Sequence, residues 1–236
     1  MSAQLIAERS PSVRDVIAVR TRIHAPSRPS HALEVRDLRC VRGDRELFRG
    51  LRASATAGQL LRVRGPNGAG KTSLLRMMCG LTTPAEGEVR WRGEPIAKTR
   101  EAFNRQHLHL GHAAALKDDL SALENLESAS LLADIACSRA EPLHALARAG
   151  LRGHEHLPAR LLSQGQRRRA ALARLELGTN LPLWILDEPF DALDERAAAW
   201  LRELISAHLQ RGGIVVLTSH QDTALERGAD IVAIDL

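Results

Sequence analysis

Polar and apolar positions change rhythm several times along this 236-residue chain. Leu33-Glu-Val-Arg-Asp-Leu38 alternates, which is the pattern of a strand with one wet face. Leu60 to Arg64 reads as a short strand running straight into Gly65. Lys71 to Cys79 reads as a helix, with Leu74, Leu75 and Met78 on one face and Gly80 as its stop. Gly87 to Gly93 is a further strand between glycines. Ser121 and Glu124 have capping-box spacing and open a helix through Leu132. Residues 119–178 read as largely helical. Leu183–Leu186 and Gly213–Thr218 are strands of the fully buried kind, flanking a helix over about Asp194–Leu209. A last strand is expected over Asp230–Leu236. Strands that alternate with helices predict an α/β fold around a mostly parallel sheet, with the helical middle as an insertion.

Composition narrows the function classes. Apolar residues make up 44% of the chain, enough for a sizeable core. The net charge is +5, and residues 1–30 hold five Arg against Glu8 and Asp15, so +3 of that excess lies there. The remainder is close to neutral, which argues against nucleic acid as a partner. Three Phe, three Trp and no Tyr leave little to stack on single-stranded bases. Cys40, Cys79 and Cys137 are far apart and odd in number, which excludes a disulfide framework and a CxxC site. No apolar run approaches the 18 residues of a spanning helix, so no direct membrane insertion is expected. Residues 1–30, rich in Pro and Ser, read as a flexible extension without the apolar stretch of a secretory signal.

Three segments carry chemistry. Gly65-Pro-Asn-Gly-Ala-Gly-Lys-Thr72 fits the phosphate-loop pattern G-x-x-x-x-G-K-[ST] and lies after a strand and before a helix. The glycines let the backbone wrap the phosphates with its amides inward, so Gly65, Pro66, Asn67, Gly68, Ala69 and Gly70 are all expected to bind nucleotide. Lys71 supplies a point charge to the β- and γ-phosphates, and the Thr72 hydroxyl is a Mg²⁺ ligand. Leu183-Trp-Ile-Leu-Asp-Glu188 ends a buried strand on two acids. Asp187 suits the hydration shell of the metal, and Glu188 suits proton abstraction from the attacking water. Leu162-Ser-Gln-Gly-Gln166 opens a helix on Ser163 and Gly165, a second anion site that one phosphate loop does not need. Each copy could offer it to the ATP of another copy.

These segments, followed by Phe190-Asp-Ala-Leu-Asp194 and Thr218-Ser-His220, come in an order that resembles the ATP-binding cassette (ABC) family over about residues 31–236. The resemblance implies a P-loop NTPase fold, with a small antiparallel sheet beside the mostly parallel core sheet. The nucleotide-binding core would cover about 31–110 and 179–236, and a helical subdomain about 111–178. It implies ATP with Mg²⁺, and a homodimer in which Ser163, Gly165 and Gln166 complete the partner's site. Glu188 becomes the general base, His220 a contact to the γ-phosphate that positions water, and Asp194 a link between the two copies. Gly111-His112, Leu120–Leu126, Leu183–Phe190 and Gly212–Gln221 are similar, more narrowly, to the haem-exporter ATPases of cytochrome c maturation. That likeness implies a peripheral ATPase on the cytoplasmic face of the bacterial inner membrane, paired with a membrane-spanning subunit of the CcmB type. It would serve haem export or release of a haem-loaded chaperone. A soluble cassette that remodels another assembly, such as an iron–sulfur scaffold, is the alternative.

Two positions depart from the family pattern. Ala113 stands where many cassettes carry a Gln that touches Mg²⁺, which leaves water or His112 to substitute. The Tyr that stacks on adenine is absent; Arg42, beside Gly43, has the planar group for that contact. Among other features, His107, His109 and His112 read as structural histidines, as do His154 and His156. Arg167-Arg-Arg169 reads as a solvated helix face near bound phosphate, and Asp118-Asp119 as a turn without a partner.

Overall fold

The structure, a computed structural model, describes residues 32–219, 225 and 230–236. The expected extension at 1–30 and His220 both lie outside the described residues. Two sheets organise the rest. The antiparallel one has the order β2-β1-β4-β5, from β1 (Ala32–Arg42), β2 (Arg45–Thr56), β4 (Glu86–Trp91) and β5 (Glu94–Pro95). The parallel one has the order β6-β7-β8-β3-β9, from β3 (Gln59–Arg64), β6 (His107–Leu110), β7 (Leu183–Leu186), β8 (Ile214–Thr218) and β9 (Asp230–Asp235).

The buried strands explain the layering. Every residue of β7 and β8 is buried. Leu183 and Ile185 turn to the face shared with Leu74, Leu75 and Met78 of α1 (Lys71–Met78) and with the antiparallel sheet. Trp184 and Leu186 turn to the opposite face, where Leu201, Leu204 and Ile205 of α7 (Glu195–Gln210) pack beside residues from the helical middle. A sheet wrapped on both sides has no wet face, so its strands read as unbroken apolar runs. α2 (Arg100–Asn104) leads into β6 at the sheet edge.

The stretch between β6 and β7 is helical in pieces: α3 (Ala122–Leu132), α4 (Glu141–Arg148), a 3₁₀ turn at Ala159–Leu161, α5 (Gln164–Leu172) and α6 (Arg174–Leu177). The capping box at the start of α3 forms, with Ser121 Oγ accepting from the Glu124 amide and the Glu124 carboxylate accepting from the Ser121 amide. Glu176 ties the pieces to the core, since one of its oxygens accepts from Trp200 Nε1 at 2.9 Å and Arg148 Nε at 3.0 Å. Asp118 and Asp119 do form a turn, but each has a partner: Arg167 at 2.6 Å and Arg160 at 3.1 Å.

The parallel register decides where function can sit. Val63 of β3 lies opposite Thr218 of β8, and Leu186 of β7 opposite Leu217. The carboxyl ends of three strands therefore come together, and ligands of open α/β sheets bind outside such ends.

At the back of the sheet, His208 is buried and stacks on Trp184, with centroids 3.8 Å apart and planes 9° from parallel. Burial pushes its pKa down to about 4, with nearby Arg211 adding to the effect. The fold holds the neutral ring, whereas the unfolded chain takes up a proton near the ordinary value. This contribution is therefore complete above about pH 6.5 and is lost as pH falls toward 4, to a total of roughly 3 kcal/mol. Urea unfolding of the wild type should weaken across that window more steeply than that of His208→Phe. Equal pH slopes in the two proteins would overturn the assignment.

Candidate functional site: a phosphate loop facing two acids

The turn from β3 into α1 is built for an anion. Gly70 caps α1 at φ 108, a left-handed conformation that side chains rarely adopt. A Cβ there would also meet the ring of Phe48 at 3.1 Å and Leu47 at 3.3 Å. Lys71 is buried to 8% exposure, and its Nζ donates to the carbonyl oxygens of Gly65 at 2.8 Å and Pro66 at 3.3 Å. The ammonium is thus held within the loop. No acid stands in the first turn of α1 to offset the helix dipole.

Opposite the loop, hydrogen bonds converge on Asp187, which is 3% exposed. Thr72 Oγ1 donates to one carboxylate oxygen at 2.8 Å, and Thr218 Oγ1 donates to the other at 2.8 Å. The same Thr218 oxygen accepts from the Glu188 amide at 2.8 Å. The Asp187 amide donates to the Leu110 carbonyl at 2.8 Å, which fixes the strand end to β6. Glu188 itself has φ 47, left-handed for a residue with a side chain. That conformation costs on the order of 1–2 kcal/mol and persists only where neighbours impose it.

These groups line one cavity of about 620 Å³. Pro66, Asn67, Gly68, Gly70, Lys71 and Thr72 form one wall, and Asp187, Glu188 and Asp191 face them. Gly65 and Ala69 belong to the same loop without lining the cavity. Arg42, expected to replace the missing aromatic, lines it with Arg45 and Leu47. His112, also read as structural, instead lines the cavity, and Ala113 does not; His112 Nδ1 stands 3.9 Å from an Asp191 oxygen. His107 stacks on Phe103 at 4.4 Å, and burial lowers the pKa of both His107 and His109.

The segment Leu162–Gln166 lies elsewhere. Ser163 caps α5, its Oγ accepting from the Gln166 amide at 3.2 Å while Gln166 Oε1 accepts from the Ser163 amide at 2.8 Å. Accepting leaves the Ser163 hydroxyl its own proton to donate. Gly165 packs where a Cβ would come 3.1 Å from the Ala192 carbonyl, so α5 sits directly on the loop after Glu188. Asp194 caps α7 through the Ala197 amide at 2.8 Å and meets Arg169 at 3.3 Å. None of Ser163, Gly165, Gln166 or Asp194 lines the cavity.

The arginine triplet is not a solvated face. Arg167 bonds the Ala159 carbonyl and Asp118, Arg169 meets Asp194, and Arg168 is buried. Of the three, Arg168 is the one that the fold buries.

Chemically, Thr72 and Asp187 offer two hard oxygens beside the phosphate loop. Among the described residues no group of three or more His, Cys, Asp or Glu could hold a metal by itself. The pair therefore fits an ion such as Mg²⁺, which keeps waters and takes substrate phosphate oxygens.

Comparison with known proteins places this geometry. Residues 48–191 match the ABC transporter family model. A solved ATP-binding subunit of an ABC transporter superposes with TM-score 0.75 at 25% identity, covering 86% of this chain and 85% of that one. A dimeric ATP-binding cassette bound to ADP and phosphate has the same fold, with TM-score 0.69 at 23% identity, covering 86% and 94%. Among curated proteins, the cytochrome c biogenesis ATP-binding export protein CcmA of Aromatoleum aromaticum is 55% identical over 79% of this chain and 87% of its own length. That of Dechloromonas aromatica is 50% identical, over 83% and 96%. No helix of the described residues is long and apolar enough to cross a membrane. With a phosphate loop facing an acidic strand end, and with relatives this similar over most of their length, the chain belongs to the ABC transporter family and, within it, to the CcmA group of ATP-binding export proteins.

Proposed function

We propose that this chain is the ATP-hydrolysing subunit of an export complex for c-type cytochrome biogenesis. It works as a pair of copies on a membrane-spanning subunit of the CcmB type, at the cytoplasmic face of the bacterial inner membrane. Haem, or a haem-loaded chaperone awaiting release, is the species served. The observation that carries the reading is the cavity in which Lys71 and Thr72 face Asp187 and Glu188. The similarity to CcmA proteins over four-fifths of the chain supports the pathway and disfavours a soluble remodelling role.

In this reading, the phosphate-loop amides and Lys71 hold the β- and γ-phosphates of ATP. Thr72 and Asp187 would hold Mg²⁺, which when bound neutralises charge on the phosphates. Arg42 lies against the base, and His112 takes the wall position that Ala113 cannot serve. Glu188 accepts the proton of a water as that water's oxygen bonds to the γ-phosphorus and the bond to the β–γ bridging oxygen breaks. The family resemblance gives His220, outside the described residues, the role of contacting the γ-phosphate and orienting that water. The other copy brings Ser163, Gly165 and Gln166 to the exposed side of the triphosphate, and Asp194 links the pair. ATP favours the closed pair because only there do the groups of the other copy reach the triphosphate. Closure moves the helical segment at about 111–178 against the membrane subunit.

Glu188→Gln should keep ATP affinity and lose on the order of 10²–10⁴-fold in turnover, the usual contribution of a general base. Wild-type turnover in that variant would remove Glu188 from the chemistry. Tagged protein extracted from membranes should bring down a subunit with several spanning helices. Recovery from the soluble fraction alone, joined to another assembly, would favour the remodelling role.

A further inference from the structure

Arg168 makes contacts that its position in the sequence does not suggest. It lies in the second turn of α5 and is 6% exposed. Its Nη1 donates to the carbonyl oxygens of Gly111 and His112, both at 3.0 Å. Its Nη2 donates to the carbonyl oxygens of Asp187 at 2.9 Å and Glu188 at 2.7 Å. One guanidinium thus joins the helix that starts at Ser163, the loop that carries His112 to the cavity, and the strand end that carries both acids. A planar fork of donors can serve four carbonyls at once; a lysine ammonium, with three donors around one point, cannot.

The contact falls where backbone strain is concentrated. Glu188 is left-handed at φ 47. Thr218 holds its amide, and Arg168 holds the carbonyls on both sides of it. The peptide groups flanking Glu188 are therefore fixed on both sides, and the direction of its side chain follows from them. Arg168 remains charged despite burial, with Asp191, Asp187 and Glu188 opposing the desolvation that lowers its pKa.

We propose that Arg168 is a positioning residue for hydrolysis: it holds Glu188 in its strained, reactive setting and makes that setting depend on the His112 loop and on the helix begun by Ser163. The proposal rests on the reading of Glu188 as the base. It gives that reading a coupling route: a displacement of α5 reaches the Glu188 main chain through one side chain.

The test is a double-mutant cycle between Arg168→Lys and Glu188→Gln in the full-length protein, reading kcat, KM and ATP affinity with thermal unfolding alongside. Arg168→Lys should lower kcat by roughly 10–10²-fold, the scale of a misplacement near 1 Å, with ATP affinity changed by less than about threefold. In the Glu188→Gln background the same change should cost little more, because the residual rate no longer uses the carboxylate. A purely structural Arg168 would lower the rate by the same factor in both backgrounds and weaken ATP binding, and that result overturns the proposal. If Arg168→Lys does not fold, Arg168→Gln carries the same cycle. Active Glu188→Gln would sink the base assignment itself. Inactive Glu188→Gln with wild-type kcat in Arg168→Lys would sink this proposal alone.

Discussion

A triphosphate must be surrounded by positive charge and hydrogen-bond donors, and this chain surrounds its cavity from one side. The loop of α1 supplies amides, Lys71 and Thr72, while the end of β7 supplies Asp187 and Glu188. The other anion-type helix start, at Ser163, lies outside the cavity formed by its own copy. Much of the described structure supports this cavity.

The support begins in the sheet. β7 is buried on both faces, so the position of Asp187 is set by packing before any polar contact is made. Thr72 and Thr218 then fix both oxygens of that carboxylate from segments 115 residues before it and 31 residues after it. Such a satisfied buried network has one low-energy arrangement, and leaving either oxygen unpaired costs desolvation energy. The strain at Glu188 persists only inside it.

Much of this was legible from residues alone. The phosphate loop is contiguous, so its glycines, Lys71 and Thr72 appear in a single window. The buried strands announced themselves because wrapping on both faces demands apolar residues at every position. β2 was less visible, since its inward side holds Ala53 and Ala55, small residues that carry little strand signal. Arg168 was invisible for a geometric reason. Successive helix residues are rotated by about 100°, so three adjacent arginines cannot share one solvated face. Which of them turned inward depended on carbonyls at 111, 112, 187 and 188, brought to it only by the fold. The partners of Asp118 and Asp119 were hidden in the same way, lying more than 40 residues along the chain.

The His112 loop, the Ser163 helix and the Glu188 strand end meet at one side chain, so a displacement of α5 has a short path to the two acids. That path matters only if catalysis belongs to the pair. The direct measurement is ATP turnover per chain over a dilution series, with the association state of each sample followed by sedimentation. Turnover that falls in step with the fraction of paired chains is the predicted result. A rate per chain that holds constant when every chain is single would contradict it.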